Sequence, residues 1–511
     1  MVVHVATVAF DGIDAKPVDV QVQVAGGLPA FTIVGLPDKA VAESRERIRA
    51  ALTAIGLALP AKRIVVNLAP ADRPKEGSHF DLPIALGIMA AIGALPADGL
   101  ARFVALGELA LDGSISPVAG VLPAAIDANA RDLGLICPKA CGSEAAWAAT
   151  DMTIVAPASL VQLANHIKGT QVLSRPEPKI ETEVITASDL ADIRGQDLAR
   201  RALEVAAAGG HNILFVGPPG AGKSMLAARL PSILPRLKPD GLLEVSMIRS
   251  VAGRIEGGQL SDLRPFRSPH HSASMAALVG GGLNARPGEA SLAHRGVLFL
   301  DELPEFQPQV LDSLRQPLET GEIVIARANH RVRYPARFQL VAAMNPCRCG
   351  YAGEPGHTCR RGAHCADSYQ ARLSGPFLDR IDLQIDVPAV SASDLLTRSK
   401  GEPSAVIAER VARSIAVQSA RYAEMDLPET TTNATVPTAL LEHITEPDPA
   451  GHALLAQAAE SLKLSARAFH RVLRVARTLA DLDGGGSVKR THLAEALAYR
   501  SGLGNREKLA A

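Results

Sequence analysis

A glycine-rich octapeptide that ends in lysine and serine is the strongest chemical signal in the sequence. The octapeptide reads Gly217, Pro218, Pro219, Gly220, Ala221, Gly222, Lys223 and Ser224. It follows the strand-like run 212–216, and its spacing is that of the phosphate-binding loop GxxxxGK[ST]. In such a loop, backbone N–H groups surround the phosphates, the lysine reaches the β- and γ-phosphates and the hydroxyl binds Mg²⁺. The sequence therefore predicts a site for ATP and Mg²⁺.

Two further apolar runs end in polar side chains that suit the same chemistry. Residues 296–300 lead into Asp301 and Glu302, and residues 339–343 lead to Asn345. We expect Asp301 to hold Mg²⁺, Glu302 to polarise the attacking water and Asn345 to sense the γ-phosphate. A strand that ends in Asp-Glu is often only a solvated edge, and Asn345 could simply cap a turn. The order of the three signals along the chain favours the nucleotide site.

The elements that must position these side chains follow from the pattern of apolar residues. Segment 188–392 alternates strand, loop and helix with glycine-rich junctions, which is typical of an α/β nucleotide domain with a parallel sheet. Strand signals then fade, and segment 393–511 is predicted to be a helical lid. Within the lid we expect helical stretches at 402–423, 448–482 and 489–500.

A second domain precedes the nucleotide domain. Residues 1–167 alternate short strand-like runs with alanine-rich helical stretches, which predicts another α/β fold. A polar linker with two prolines, at 168–187, separates the two domains. With 511 residues the chain is too long for one hydrophobic core, which agrees with several domains.

The composition excludes several classes of protein. Hydrophobic residues make up 47% of the chain, as in globular proteins, and 53 basic residues balance 53 acidic ones. A protein that coats nucleic acid through general basic charge is excluded, so any contact with a polyanion would have to be local. The apolar stretch 82–97 is interrupted by prolines and is too short to span a bilayer. We expect no signal peptide, no membrane contact and a cytoplasmic location.

A set of segments carries a resemblance to a known family. They read GPPGAGKS, FRSPHHSAS, GVLFLDELPEF, FQLVAAMNPCRCG, LSGPFLDRIDL and LSARAFHRVLRVARTLADLDG. From residue 185 onward the chain resembles an AAA+ ATPase of the magnesium-chelatase-related clade, and over nearly its whole length it resembles the bacterial YifB/ComM family. AAA+ proteins of this kind form rings with ATP between subunits, so the resemblance implies a homo-hexamer. It also places residues 192–196 where relatives contact adenine.

The resemblance assigns roles to two arginines. Arg380 lies in the motif LDRID, which resembles the family's arginine-finger segment, so Arg380 would act on the γ-phosphate of a neighbouring subunit. The alternative is an ordinary surface charge pair with Asp379, which would contribute little. Arg467 matches the sensor-2 arginine of the lid. Arg471 and Arg474 share its helical face and stay unassigned.

Two insertions could project into the pore of such a ring. One runs from Arg267 to Arg286 and is rich in glycine, and the other is a predicted hairpin at 322–334. Basic and glycine-rich loops suit a phosphate backbone that is gripped without reading its sequence, and a solvent loop without a ligand is the alternative. The candidate DNA-binding residues of the hairpin are Arg327, Asn329, His330 and Arg331.

A cysteine-rich stretch follows Asn345. Its thiols belong to Cys347, Cys349, Cys359 and Cys365. Four such ligands could hold Zn²⁺ in a tetrahedral site. The C-x-C pair at the start is cramped compared with the usual C-x₂-C, so reduced thiols in a cytosolic loop are the favoured interpretation and zinc is the alternative.

The N-terminal segment resembles the protease domain of Lon, an α/β fold like that of ribosomal protein S5. Lon-type proteases use a serine that is activated by a lysine. The resemblance places His79 at the position of the serine and Leu122 at the position of the lysine. Ser78 is one position away and cannot be assumed to be aimed correctly. We therefore expect a catalytically inactive domain that serves assembly or contact with DNA.

Three functions follow from these motifs. The resemblance favours a ring-shaped DNA motor, since the YifB/ComM family includes helicases implicated in branch migration during natural transformation. The alternative is a chelatase-like motor that remodels a protein partner, although the chelatase subunit lacks the Lon-like domain. An ATP-dependent protease is disfavoured because the serine–lysine pair is missing. We predict an ATPase that acts on single-stranded or branched DNA.

Overall fold

The computed structural model describes residues 2–181, 189–282, 285–327, 330–352, 359, 364–390, 401–427, 432–462 and 464–500. Residues 182–187 of the predicted linker and residues 393–400 and 501–511 of the predicted lid lie outside these ranges. Within them the chain forms a seven-stranded sheet, a five-stranded sheet and a helical C-terminal region. No helix in these ranges is long and apolar enough to cross a membrane.

The N-terminal sheet is mixed. Its strands and those of a small hairpin beside it are β1 Val2–Asp11, β2 Asp14–Ala25, β3 Ala30–Val34, β4 Arg63–Ala69, β5 Phe103–Ala105, β6 Glu108–Leu109, β7 Ile115–Ser116, β8 Gly134–Ile136 and β9 Ile154–Val155. The sheet order is β3-β4-β2-β1-β5-β8-β9, and β6 pairs with β7. In β2 the side chains of Val18, Val20 and Val22 are buried, so the period-two pattern of the sequence predicts the core face correctly.

Helices pack on this sheet. They are α1 Lys39–Ala54, α2 Asp81–Ala91, α3 Val121–Ala130, α4 Gly142–Ala145 and α5 Leu160–Ile167. Helix α2 is apolar on nearly every side, and its residues from Asp81 to Met89 are buried because it lies against β1, β2 and α1.

The second sheet is entirely parallel. The strands of this region are β10 Ile213–Val216, β11 Phe266–Arg267, β12 Val297–Leu300, β13 Glu322–Arg327, β14 His330–Pro335, β15 Gln339–Met344 and β16 Leu383–Asp386. The sheet order is β11-β12-β15-β10-β16, and β13 and β14 form a separate antiparallel hairpin. The helices of the region are α6 Asp197–Gly209, α7 Lys223–Arg229, α8 Pro239–Val251, α9 Met275–Val279, α10 Glu289–Leu292, α11 Pro308–Ser313, α12 Arg315–Thr320, α13 His364–Gln370 and α14 Gly375–Leu378.

Both faces of the parallel sheet are covered. Val297 and Phe299 of β12 belong to one hydrophobic cluster, and Leu298 and Leu300 belong to another on the opposite face. A parallel strand that is buried on both faces needs a continuous apolar run rather than an alternating one. The runs that precede the polar motifs are apolar throughout for this reason, and the predicted α/β class is confirmed.

The C-terminal region is helical, as predicted. Its helices are α15 Ser404–Glu424, α16 Thr438–Ile444, α17 Pro449–Ser461, α18 Ala466–Leu482 and α19 Arg490–Ala498. The prediction of one helical stretch over 448–482 is wrong, because α17 ends at Ser461 and α18 begins at Ala466. Ser465 caps the new helix by accepting a hydrogen bond from the backbone N–H of Ala468 at 3.2 Å.

The N-terminal part packs against the parallel-sheet part through α3 and α8. Leu122 of α3 is buried with Leu242 and Val245 of α8. A polar contact accompanies this apolar one, since the Ser250 hydroxyl donates to the Glu144 carboxylate, which also accepts from the backbone N–H of Leu122 at 3.1 Å. The carboxyl is 4% exposed, and burial raises the pKa of Glu144 to about 7.

Glu144→Gln is expected to stabilise the folded chain at high pH. The pKa of this carboxyl rises on folding from 4.5 to about 7, so over that pH range the unfolded chain loses the proton first and stability falls as pH rises. Glutamine is neutral and can accept the same hydrogen bonds. We expect the variant to gain about 1–3 kcal/mol in urea unfolding at pH 8 and little at pH 5. An equal effect at both pH values would contradict this account.

Candidate nucleotide site

Three polar segments meet at the carboxyl edge of the parallel sheet. The glycine-rich loop follows β10, Asp301 and Glu302 follow β12, and Asn345 follows β15. Strand β15 lies between β10 and β12 in the sheet. The carboxyl ends of parallel strands lie at one edge of the sheet. Lys223 and Asn345, which are 122 residues apart in sequence, are therefore in contact at this edge.

The glycine-rich loop has an open side and a closed side. Gly220 has a φ of +79° and Gly222 a φ of +89°, which favour glycine. A Cβ at either position would meet no atom of the described residues within 4 Å. A Cβ at Gly217, by contrast, would lie 2.0 Å from the carbonyl oxygen of Val387. The loop therefore rests on the sheet at its start and leaves free space over its second half.

Lys223 lies inside the loop. Its side-chain Nζ donates to the carbonyl oxygens of Gly217 at 2.7 Å and Pro218 at 2.9 Å, and to Asn345 Oδ1 at 3.0 Å. Burial lowers the pKa of Lys223, against the opposing effect of the Asp301 charge. All three acceptors are neutral, so the ammonium charge remains available to an anionic ligand. The arrangement fits the phosphates of a nucleotide.

Ser224 and Asp301 supply oxygen ligands of the kind that Mg²⁺ takes. The Ser224 hydroxyl donates to Asp301 Oδ2 at 2.6 Å, which joins the end of the loop to the end of β12. Ser224 is exposed and Asp301 is half-buried. A hydroxyl and a carboxylate beside a phosphate-binding loop fit the Mg²⁺ that accompanies a nucleotide, and these two residues would hold it.

Glu302 occupies a strained backbone position. Its φ of +50° is in the left-handed region, which is uncommon for a residue other than glycine, and its N–H donates to Asp301 Oδ1 at 2.9 Å. The carboxylate is 54% exposed, and its Oε2 lies 3.2 Å from Nδ1 of His271. The left-handed residue thus follows directly after β12, and its side chain contacts the histidine.

His271 is a site residue that the sequence analysis missed. It lies between β11 and α9, in the insertion that was assigned to a ring pore as a whole. The pair His270–His271 shortly before an acidic pair could have indicated a contact with Glu302. Sequence spacing alone does not show which of two adjacent imidazoles reaches the carboxylate.

The segment predicted to contact adenine borders a cavity. The cavity has a volume of about 210 Å³ and is lined by residues 195–198, Asp386 and 388–390. Gln196 Nε2 donates to the carbonyl oxygen of Pro388 at 2.6 Å and to that of Ala221 at 3.4 Å. The second contact connects the cavity to the phosphate-binding loop, where a nucleoside attached to the phosphates would extend.

The guanidinium of Arg380 contacts residues that do not belong to the nucleotide loop. Its guanidinium is 9% exposed, donates to Glu319 Oε2 at 2.8 Å and to the carbonyl oxygen of Arg315 at 3.0 Å. The sequence analysis gave a surface charge pair with Asp379 as the alternative, but the carboxylate that pairs with Arg380 is that of Glu319. A role in a neighbouring subunit's site stays a prediction, and it requires the contact with Glu319 to be exchanged.

The arginine stripe of α18 divides into two kinds of residue. Arg471 pairs with the buried Asp382 at 2.7 Å and so holds the lid to the parallel-sheet part. Arg474 donates to the carbonyl oxygen of Val436 at 3.0 Å, a contact within the lid itself. Although burial alone would raise it, the neighbouring His211 and Arg471 hold the pKa of Asp382 well below its usual value. Arg467 is exposed in the first turn. Its assignment to ATP stays a prediction.

The candidate DNA-binding hairpin is formed as predicted. Strands β13 and β14 are antiparallel, with Arg327 opposite His330 at the tip. Asn329 lies outside the described residues, and Arg331 is exposed. Contact of these four residues with DNA stays a prediction.

The two predicted pore insertions pack together. The Tyr334 hydroxyl of the hairpin donates to the carbonyl oxygen of Ala285 in the glycine-rich insertion at 2.9 Å. Ala285, Val332 and Tyr334 form a small apolar cluster, to which Ile13 from the β1–β2 turn adds. The hairpin base therefore rests on both the other insertion and the N-terminal sheet.

The positions of the Lon serine and lysine have other surroundings here. His79 is buried, and its Nε2 lies 2.9 Å from the carbonyl oxygen of Val8. Leu122 is buried under α8, and the Ser78 hydroxyl donates to Glu108. The side chain at the lysine position is thus apolar and covered. A catalytically inactive N-terminal domain stays a prediction that these contacts support.

The parallel sheet and the polar groups at its edge define an AAA+ nucleotide-binding fold. Models of three protein families match most of the chain. "Subunit ChlI of Mg-chelatase" matches residues 20–141, "Magnesium chelatase, subunit ChlI" matches 189–395, and "Magnesium chelatase, subunit ChlI C-terminal" matches 401–500.

Two relatives extend this likeness to nearly the whole chain, and a third matches about half of it. Competence protein ComM of Haemophilus influenzae is 45% identical over 497 residues, which cover 96% of each chain. Uncharacterized protein YifB of Escherichia coli is 41% identical over 512 residues, 98% of this chain and 97% of its own. The Magnesium-chelatase 38 kDa subunit of Rhodobacter capsulatus is 26% identical over 308 residues, 55% of this chain and 77% of its own. The chain belongs to the magnesium-chelatase-related AAA+ family that contains ComM and YifB, which confirms the predicted resemblance.

Proposed function

We propose that this protein is a ring-forming ATPase, a homo-hexamer in the cytoplasm, that uses ATP hydrolysis to move branched or single-stranded DNA. One observation carries the ATPase part: Lys223, Ser224, Asp301 and Asn345 converge at the carboxyl edge of one parallel sheet. The likeness to a competence protein over 96% of both chains supports DNA as the substrate. Branch migration during natural transformation is the activity that this family resemblance favours.

The side chains at the sheet edge divide the chemistry of hydrolysis between them. Lys223 binds the phosphates, and Ser224 and Asp301 would hold Mg²⁺. Bound Mg²⁺ supplies charge neutralisation for the phosphoryl group that is transferred. Glu302 accepts the proton of the attacking water, and Asn345, which contacts the lysine at 3.0 Å, orients that water. The proton on Glu302 later returns to solvent, since this carboxylate is half exposed.

His271→Ala is expected to lower kcat for ATP hydrolysis by about tenfold and to leave KM nearly unchanged. The imidazole lies 3.2 Å from the Glu302 carboxylate but contacts none of the groups that hold the phosphates, so its loss misdirects the base without weakening binding. His271→Asn, which keeps a donor, should recover part of the rate. His270→Ala is the comparison variant and should lose less activity, because His270 packs on His271 with ring centroids 4.1 Å apart while His271 itself makes the contact with Glu302. A rise in KM with unchanged kcat would contradict this role.

A chelatase-like ATPase that remodels a protein partner is the second candidate. The family descriptions that match all three parts of the chain carry the name of a magnesium chelatase subunit. Against it, the chelatase subunit of Rhodobacter capsulatus aligns with only 55% of this chain at 26% identity. The longer and stronger likeness to ComM favours the DNA motor.

Steady-state ATP hydrolysis without DNA, with single-stranded DNA and with a branched junction separates the two candidates. The DNA motor predicts several-fold stimulation by at least one DNA and none in Lys223→Ala, which loses the phosphate-binding ammonium. Hydrolysis that is the same with every DNA would contradict DNA as the substrate. Absence of hydrolysis under all conditions would contradict the ATPase itself.

A further inference from the structure

Four cysteine thiols converge beside the nucleotide site. The Sγ atoms of Cys347, Cys349, Cys359 and Cys365 all lie within 4.8 Å of one another. Cys349 Sγ is 2.9 Å from Cys347 Sγ and 3.2 Å from Cys359 Sγ. Within the described residues none of the four forms a disulfide, and two of them are buried and two half-buried. Cys347 and Cys365 are 18 residues apart in sequence. The packing of an apolar core does not by itself explain why four thiols meet at one point.

The spacing suits one tetrahedral ion. Zinc–sulfur bonds of about 2.3 Å place the corners of a tetrahedron about 3.8 Å apart. The four sulfurs lie within 4.8 Å of one another, and two of their separations, 2.9 and 3.2 Å, are shorter than this value. A disulfide requires about 2.05 Å between sulfurs, which no pair here reaches. An iron–sulfur cluster holds its thiolates on the outside of a larger core, so they lie farther apart than the ligands of a single ion. Four thiolates around a single ion are a common ligand set of structural Zn²⁺.

Separate elements deliver the ligands. Cys347 and Cys349 follow β15, and Cys365 belongs to α13. A turn brings the first pair onto one side, because the N–H of Gly350 donates to the carbonyl oxygen of Cys347 at 2.9 Å and Gly350 has a φ of +91°. The cramped C-x-C spacing therefore does not prevent both sulfurs from facing the same point. The geometry therefore fits zinc, which the sequence analysis gave as the alternative to reduced thiols.

We propose that these four cysteines bind one Zn²⁺ as thiolates, and that the ion fixes the loop after Asn345 against the phosphate-binding loop. Cys347 is only two residues from Asn345, which contacts Lys223 at 3.0 Å. A Cβ at Gly350 would lie 2.7 Å from the Pro219 ring, so the cysteine turn touches the phosphate-binding loop directly.

The surroundings of the four-cysteine cluster support a charged metal centre. Four thiolates and one Zn²⁺ carry two net negative charges, which need nearby cations or water. Arg348 and Arg372 line a cavity of about 480 Å³ together with Cys365. Arg372 also pairs with Glu305 at 3.2 Å, so Arg348, which is exposed, is the more available cation of the two. Gln370 Nε2 donates to the carbonyl oxygen of Pro346 at 3.0 Å and ties α13 to the same turn.

Metal analysis of the full chain, purified under reducing conditions, tests the proposal. We expect about one zinc per chain, and less than about a tenth of that in Cys359→Ala. Cys141→Ala, which alters a buried cysteine of the N-terminal part, is the matched control and should keep the zinc. A wild-type chain that contains no zinc after incubation with ZnCl₂, or that contains iron or a disulfide instead, would overturn the assignment.

Cobalt substitution keeps the test decisive if Cys359→Ala does not fold. The wild-type chain loaded with Co²⁺ should show the intense visible absorption of a tetrahedral thiolate site, and its absence would count against four-cysteine ligation.

The link between the metal ion and the nucleotide site is tested separately, by ATP hydrolysis. Zinc-free Cys359→Ala that still folds should hydrolyse ATP about tenfold more slowly than wild type, since Asn345 loses its support. Unchanged hydrolysis would contradict the proposed link between the ion and the nucleotide site, but not the zinc site itself.

Discussion

Glu302→Gln lowers the rate of ATP hydrolysis by an expected 10² to 10⁴-fold, about the contribution of a well-placed general base, while ATP still binds. The amide cannot accept the proton of the attacking water. Lys223, Ser224 and Asp301 keep their contacts, so nucleotide affinity should stay within about twofold of wild type. The side chain is 54% exposed, so its replacement removes little packing.

Phosphate release and binding of a fluorescent nucleotide measure the two effects separately. Glu305→Gln is the matched control, because Glu305 lies three residues away and pairs with Arg372 rather than facing the loop. We expect this control to turn over at a rate close to wild type. Turnover of Glu302→Gln near the wild-type rate would show that another group activates the water.

Arg380→Ala is expected to reduce hydrolysis by about 10³-fold or more if the arginine acts on a neighbour's phosphate. The decisive result is complementation. In a ring mixed from Arg380→Ala and Lys223→Ala chains, some interfaces receive Lys223 from one subunit and Arg380 from the other. Hydrolysis should therefore reappear in the mixture, although each variant alone is inactive.

The intrachain contact of Arg380 supplies the control for this experiment. Glu319→Ala removes the carboxylate that holds the guanidinium at 2.8 Å but leaves the arginine in place. We expect it to retain hydrolysis, since the role in a neighbouring site does not depend on the pair. A mixture that stays inactive, together with an inactive Glu319→Ala, would show that Arg380 acts only by supporting its own chain.

The strands and the nucleotide loop were predictable because their signals are local. Val297–Leu300 is a continuous apolar run because both of its faces are buried, and the polar residues that follow mark the strand's end. The glycine-rich loop could be placed from spacing alone, because Gly220 and Gly222 adopt backbone conformations that other residues avoid. The hairpin at 322–335 likewise follows from local pattern.

The remaining features depend on contacts between distant residues. His271 reaches Glu302 across 31 positions, and Glu319 reaches Arg380 across 61. No pattern in one sequence specifies such pairs. The break before Ala466 was missed because apolar periodicity continues from α17 into α18, and only the capping serine marks the boundary. Convergence of the cysteines also required the fold, since it depends on where α13 lies.

Movement of a labelled strand in a branched DNA junction tests the central claim most directly. Wild-type protein with ATP and Mg²⁺ should convert the junction into its separated products. Glu302→Gln with ATP, and wild type without ATP, should leave the junction intact, although Glu302→Gln still binds nucleotide. Steady ATP hydrolysis by the wild type with no movement of the labelled strand on any junction would contradict a DNA motor.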